Sequence, residues 1–229
     1  MALPSLMTFA SERHSCPRAA FLAATSLNFL KPLLKRALWP LAAGLAGAGI
    51  TANQVTIISL VGSIIVGSLL SVHADGGAVW GLLPVWMLVR MALATIDGTL
   101  AIDFGQKSRL GGILNEMGDV ISDIAMFVPL AFLPTFTVVW IGLVVLLTMM
   151  TEIAGIIGPV LGSSRRIEGP FGKVDRALAV GLIGVWLACV GPLPEGARFL
   201  LPFFAMLLLL TIGNRLRFAV ASTVFHGES

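Results

Sequence analysis

The chain has 229 residues, 57% hydrophobic and only 12% charged, with a formal net charge of +3. A soluble domain carries roughly 25% charged residues. This load, with a mean hydropathy of +0.95, excludes an ordinary soluble globule and predicts an all-α membrane protein. Two cysteines, Cys16 and Cys189, are too few and too far apart for a disulfide scaffold or a cysteine zinc site. The basic residues lie between apolar runs, so they signal membrane topology, and no nucleic-acid partner is expected.

In chain order, residues 1–25 are mixed and aperiodic and read as a flexible tail, and residues 26–229 read as one membrane domain. Within residues 26–46, Lys31 and Lys35 stand one turn apart among Leu and Phe, which predicts an amphipathic helix on the membrane surface. Pro32 and Pro40 argue against a straight span there. Six transmembrane helices are predicted over residues 55–72, 79–101, 110–133, 137–161, 177–190 and 199–212, the last continuing helically to 225. Lys31, Lys35, Arg36, Lys107, Arg109, Arg165, Arg166, Lys173, Arg176, Arg215 and Arg217 all fall on one side of this arrangement. The other side holds only Asp75, Glu195, Arg198 and His73. The positive-inside rule then places the basic side, with both termini, in the cytoplasm.

Carboxylates inside apolar spans are costly, at roughly 2.5–3.5 kcal/mol each on insertion scales, so their placement carries information. Asp97 falls near the cytoplasmic end of the second span, and Glu116, Asp119 and Asp123 in the first turns of the third. Asp119 and Asp123 are four residues apart and share a helix face, which Asn115 continues one turn earlier. Converging carboxylates repel unless neutralised. A hard divalent cation would do this, and oxygen-only ligands favour Mg²⁺, Mn²⁺ or Ca²⁺ over zinc. The alternative is pairing with Arg90, Lys107 or Arg109 inside the bundle. Glu152, alone in the fourth span, is expected to pair with Arg90.

The stretch DGTLAIDFGQKSRLGGILNEMGD resembles the signature of the CDP-alcohol phosphatidyltransferases, D-x-x-D-G-x-x-A-R-x8-G-x3-D-x3-D. Asp97, Gly98, Ala101, Gly111 and Asp119 fall on signature positions, whereas its first aspartate falls on Ala94, its arginine on Ile102 and its third aspartate on Asn115. The run LNEMGDVISD looks like a divergent bacterial branch, which points to the bacterial inner membrane. Thr51 to Thr56 resembles the P-N-x-x-T approach to the first span, carrying over Asn53 and Thr56.

The resemblance implies an enzyme of phospholipid synthesis with a six-helix fold and two metal ions, Mg²⁺ or Mn²⁺. It would transfer a phosphatidyl group from a CDP-linked lipid such as CDP-diacylglycerol to a small alcohol, releasing CMP, and would form a homodimer. It implies Asp97 as a metal ligand and Asp119 as a ligand or the general base. Helical spacing adds Glu116 and Asp123, acids beyond the signature, to a shifted metal site, with Asn115 able to join through its amide oxygen and Asp123 as the second candidate base. The resemblance also implies CDP contacts at Asn53, Thr56, Gly98, Ala101 and Gly111. Arg165, Arg166, Lys173 and Arg176 would hold an anionic acceptor or lipid headgroup. Two other readings compete. A pseudoenzyme would keep the fold and lose transfer, as Ala94 and Ile102 suggest. A small ion transporter would need polar groups through the whole bilayer.

Overall fold

The computed structural model describes residues 30–74, 77–162, 165–167 and 169–224. The expected tail over residues 1–25, and Asp75, lie outside the described residues. Among these residues every regular element is helical. The α-helices in order are α1 (Leu30–Gly47), α2 (Ala52–Val72), α3 (Leu82–Asp103), α4 (Arg109–Phe127), α5 (Val138–Val160), α6 (Lys173–Cys189) and α7 (Leu200–Val224). Short 3₁₀ turns over Ala78–Gly81, Val128–Phe132 and Glu195–Phe199 join some of them.

Local chemistry sets the helix ends nearest the charged residues. α1 runs on through Pro40. It stops at Gly49, whose φ of 77° lets Ile50 N–H donate to Leu45 C=O at 3.0 Å. Thr51 and Gln54 then form a capping box at the start of α2. Gln106, in the α3–α4 connection, accepts from Ala52 N–H at 2.7 Å, and so ties that connection to the α2 terminus. α4 starts on Ser108, whose hydroxyl accepts from Gly111 N–H at 2.9 Å.

α2 packs on α3 and α4, α6 on α3, and α7 on α5. The main core gathers Leu70, Trp80, Leu83, Met126, Phe127, Leu130 and Leu201, all at most 2% exposed. Backbones approach closely where glycine allows it. Gly67 leaves no room for a Cβ because the Ala125 carbonyl is there, and a Cβ on Gly184 would lie 2.9 Å from Leu83 Cβ. The outward faces stay apolar, with Ile58, Ile65, Val85, Leu88 and Val139 all more than half exposed. Such surface is unsuited to water and matches lipid.

Four segments, Ala52–Val72, Ala78–Asp103, Val138–Val160 and Glu195–Ala221, are long and apolar enough to cross a membrane by length and composition. They coincide with the first, second, fourth and sixth predicted spans. The other two predicted spans fall on α4 and α6, which are less apolar. α4 carries Arg109, Glu116, Asp119 and Asp123 in 19 residues, and α6 has 17 residues and opens on Lys173, Asp175 and Arg176.

Candidate active site

The carboxylates meet at one end of the bundle. The α2 start, the α3 end, the first half of α4, the last turns of α5 and the α6 start all converge there. Helix periodicity aims the side chains, since Asp119 and Asp123 lie one turn apart on the α4 face turned to α3 and α6. Asp97 is 7% exposed and accepts from Thr56 Oγ1 at 2.8 Å, so α2 and α3 meet at the site. Asn53 stands beside Gly111, where a Cβ would come within 2.6 Å of the Asn53 amide oxygen. A Cβ on Gly98 would meet nothing within 4 Å, so this signature glycine faces open space. Ala101 packs into the small core beneath α1.

The other carboxylates form ion pairs with one another's partners. Glu152 and Lys173 lie 3.4 Å apart, and Lys173 bonds Asp119. Asp119 faces Arg90 at 3.6 Å, and Arg90 pairs with Asp123 at 2.6 Å. Asp123 pairs with Arg176 at 2.8 Å, and Arg176 returns to Glu152 at 2.8 Å. Three acids and three bases thus alternate around a closed ring that ties α3, α4, α5 and α6 together. Arg165 joins it from the α5–α6 connection, pairing with Glu116 and lying 3.2 Å from Glu152. Burial disfavours charge on Arg165, but the hydrogen bond and charge of Glu116, with Glu152 behind, outweigh it and raise its pKa above the ordinary value.

The ring has a buried half and an accessible half. The side chains of Arg176, Glu152 and Asp123 are 2%, 3% and 8% exposed, whereas Lys173 and Arg165 are 30% and 33% exposed. Arg176 also reaches Thr151 Oγ1 at 3.3 Å. Both Asp123 oxygens are held by arginines, Oδ1 by Arg90 and Oδ2 by Arg176. A role for Asp123 as metal ligand or base would require it to release one of them.

The sequence expectations therefore separate. Asp97, Asp119, Thr56 and Asn53 are brought to one end of the bundle, as are Lys173, Arg176 and Arg165. Arg166 lies on the same connection, its backbone N–H donating to Gly155 C=O at 3.1 Å. The expected pairing of Glu152 with Arg90 is corrected: Glu152 is held by Arg165, Lys173 and Arg176, and Arg90 turns to α4. Among the described residues neither Lys107 nor Arg109 pairs with these acids. Asp103, next to the signature, is bonded to Lys35 of α1 at 2.9 Å and stands outside the ring. Gln106 and the ring role of Glu152 had no signal in the sequence, because both depend on partners more than ten residues away.

Whether these residues suit a metal depends on the donor set. Among the described residues no three His, Cys, Asp or Glu side chains are grouped so as to hold an ion. Two ions bridged by carboxylates do not fit, because Ala94 offers no donor and Asn115 only a neutral amide. One ion fits better. Asp97 is buried with no Lys or Arg in ion-pair contact among the described residues, and the charges of both Asp119 and Lys173 act on it. Mg²⁺ is commonly held by one or two carboxylates together with substrate phosphates and water.

A bundle of apolar helices with charged side chains gathered at one end is the architecture of an integral membrane protein. Comparison with known proteins makes this specific. The chain is 39% identical over 192 residues to the inner membrane protein YnbA of Escherichia coli (strain K12), covering 84% of this chain and 95% of that protein. It is 32% identical over 97 residues, 42% of each chain, to phosphatidylinositol phosphate synthase of Mycobacteroides abscessus. Its fold matches the crystal structure of Mycobacterium tuberculosis phosphatidylinositol phosphate synthase (PgsA1) in complex with manganese and citrate. That match has a TM-score of 0.63 at 22% identity and covers 79% of this chain and 87% of that one. No family model matches. The chain belongs to the CDP-alcohol phosphatidyltransferase family, as a divergent member.

Proposed function

We propose that this protein transfers a phosphatidyl group from a CDP-linked lipid such as CDP-diacylglycerol to an alcohol, releasing CMP. The observation that carries this reading is the convergence of Asn53, Thr56, Asp97, Gly111 and Asp119, from three helices, at one end of the bundle. These are positions matched to the family pattern, and they are far apart in the sequence.

The same reading takes α4 and α6 as membrane spans, making six. At about 1.5 Å per residue their 19 and 17 residues reach about 28 and 26 Å, close to a hydrocarbon core of about 30 Å. The ring neutralises the charge that keeps them from looking apolar. α1 lies on the membrane surface, both termini are cytoplasmic, and the membrane is the bacterial inner one, as the relationship to an inner membrane protein supports. Homodimer assembly belongs to this proposal too.

An open groove on α4, lined by Arg109, Gly112, Ile113, Glu116 and Met117, has an apolar wall beside the site. It suits a donor whose acyl chains stay in the bilayer while its headgroup reaches Asp97. The space beside Gly98 admits the donor phosphates close to backbone. Asp119 accepts the proton from the acceptor hydroxyl once Lys173 has moved off it. The acceptor oxygen then bonds to the lipid-side phosphorus, and the bond to the CMP oxygen breaks. Lys173 and Arg165, the accessible cations, meet an anionic group on the acceptor, and Arg176 holds the wall behind them. Mg²⁺ or Mn²⁺, held by Asp97 and Asp119 with help from Asn115, would offset phosphate charge as a Lewis acid when bound.

A test is CMP release from CDP-diacylglycerol by purified protein, with Mg²⁺ or Mn²⁺, across a panel of alcohols. Metal-dependent release that disappears in Asp97→Ala supports the transferase and names its acceptor. Ala94 and the 72%-exposed Ile102 favour a second reading, a family member that binds CDP-lipid without turnover. Measurable CMP binding with no release for any alcohol would establish it.

A further inference from the structure

Glu116 stands apart from the ring it is joined to. Among the described residues Asp119, Asp123 and Glu152 each have two or more basic partners, whereas Glu116 has Arg165 alone. Both of its oxygens are on that guanidinium, Oε2 at 2.9 Å from one terminal nitrogen and Oε1 against the other. This fork-on-fork geometry is the one in which arginine takes a phosphate or carboxylate ligand. Glu116 thus fills the place that an oxyanion would take on Arg165.

The pair is also placed to open. Its side chains are 33% and 28% exposed, so separating them strands neither in a dry interior. Arg165 keeps Glu152, 3.2 Å away. Glu116 also lines the open groove on α4 with Arg109, where water and a cation can receive it. Lys173 lies 3.4 Å from Glu152 Oε2, the same oxygen that Arg165 approaches, so the two accessible cations converge. The buried acids have no such freedom, since Asp123 and Glu152 are 8% and 3% exposed.

We propose that Glu116 is a specificity-determining residue, a tethered carboxylate that holds Arg165 until the anionic group of a ligand, bridging Arg165 and Lys173, takes its place. A ligand without such a group leaves the Glu116 pair closed. The exchange keeps Arg165 paired throughout, since one anion leaves it as another arrives. This rests on the reading that Lys173 and Arg165 receive the acceptor, and the measurements are chosen to separate the two.

Inorganic phosphate is titrated into purified full-length protein in a phosphorus-free detergent and followed by phosphorus NMR line broadening. Glu116→Gln keeps the shape and removes the charge. It binds phosphate about fivefold more tightly than wild type, the worth of a partly exposed charged pair that no longer has to be broken. Adding Arg165→Gln removes the gain, and helical circular dichroism is the same in every protein. Displacement of the bound phosphate by glycerol phosphate assigns the exchange to a water-borne ligand, and displacement by phosphatidic acid alone to a lipid headgroup; either sustains the inference. Equal phosphate affinity in wild type and Glu116→Gln, a gain that survives Arg165→Gln, or no binding in any of them overturns it. CMP release by wild type with equal phosphate affinities would leave the transferase reading standing without the inference. The expected gain with no CMP release for any alcohol would sustain the inference and remove the transferase reading.

Discussion

Arg176 is the tightest point of the charge ring, and replacing it with methionine tests whether the ring holds the bundle together. The side chain is 2% exposed and bonds Asp123, Glu152, Thr151 Oγ1 and the Phe171 carbonyl. Arg176→Met keeps the apolar stem and removes the charge, leaving two buried carboxylates short of a partner. Breaking a buried pair from one side costs about 3–5 kcal/mol. Here Asp123 keeps Arg90 and Glu152 keeps Arg165 and Lys173, so the expected loss is about 3 kcal/mol, at the low end of that range. For a chain of this length that corresponds to a fall of about 6–12 °C in Tm. The measurement is thermal unfolding in one detergent at one scan rate, because irreversible unfolding makes Tm depend on rate. Adding Asp123→Asn to Arg176→Met should recover much of the loss, because the orphaned charge, rather than the missing contact, carries most of the penalty. A Tm within about 2 °C of wild type in the single variant would refute the reasoning. The ring would then be an exposed or solvated network worth little, as surface pairs are.

Asp97→Asn should leave Tm unchanged or higher, since it removes a buried charge that has no lysine or arginine in ion-pair contact among the described residues, while abolishing CMP release; a marked fall in Tm would show that Asp97 is a structural residue. Gly111→Ala should lower stability by about 0.5–1 kcal/mol, because the new methyl would meet Asn53 Oδ1 at 2.6 Å and the capping Ser108 Oγ at 2.9 Å, side-chain ends that must turn aside at the expense of the cap. Gly112→Ala, where a Cβ meets nothing within 4 Å, is the matched control, and equal Tm values in the two would contradict this. Gln106→Ala should cost about 1 kcal/mol, read as a small fall in Tm, by leaving the Ala52 N–H at the α2 terminus without its 2.7 Å acceptor.

Much of the fold is legible in the sequence because bilayer insertion is decided locally. A run of about twenty apolar residues makes a helix whatever surrounds it, and α2, α3, α5 and α7 fall on four of the predicted spans. The spacing of Asp119 and Asp123 fixed their common face, since helix geometry depends only on residue number. The family pattern placed Asp97 and Gly111 before any contact was visible.

The partners of the charges could not be read in the same way. Glu152 pairs with Arg176 across 24 residues and Asp123 with Arg176 across 53. Which lysine or arginine faces which acid depends on helix rotation and crossing, set by packing such as the close approach of Gly67 to Ala125 and of Gly184 to Leu83. The sequence determined that acids gather near one end of membrane helices. Only the tertiary structure decided that four of them are ion-paired with lysine and arginine while Asp97, among the described residues, is in ion-pair contact with neither and feels only the charge of Lys173 beyond that range, because Coulomb energy depends on distances that sequence separation does not specify.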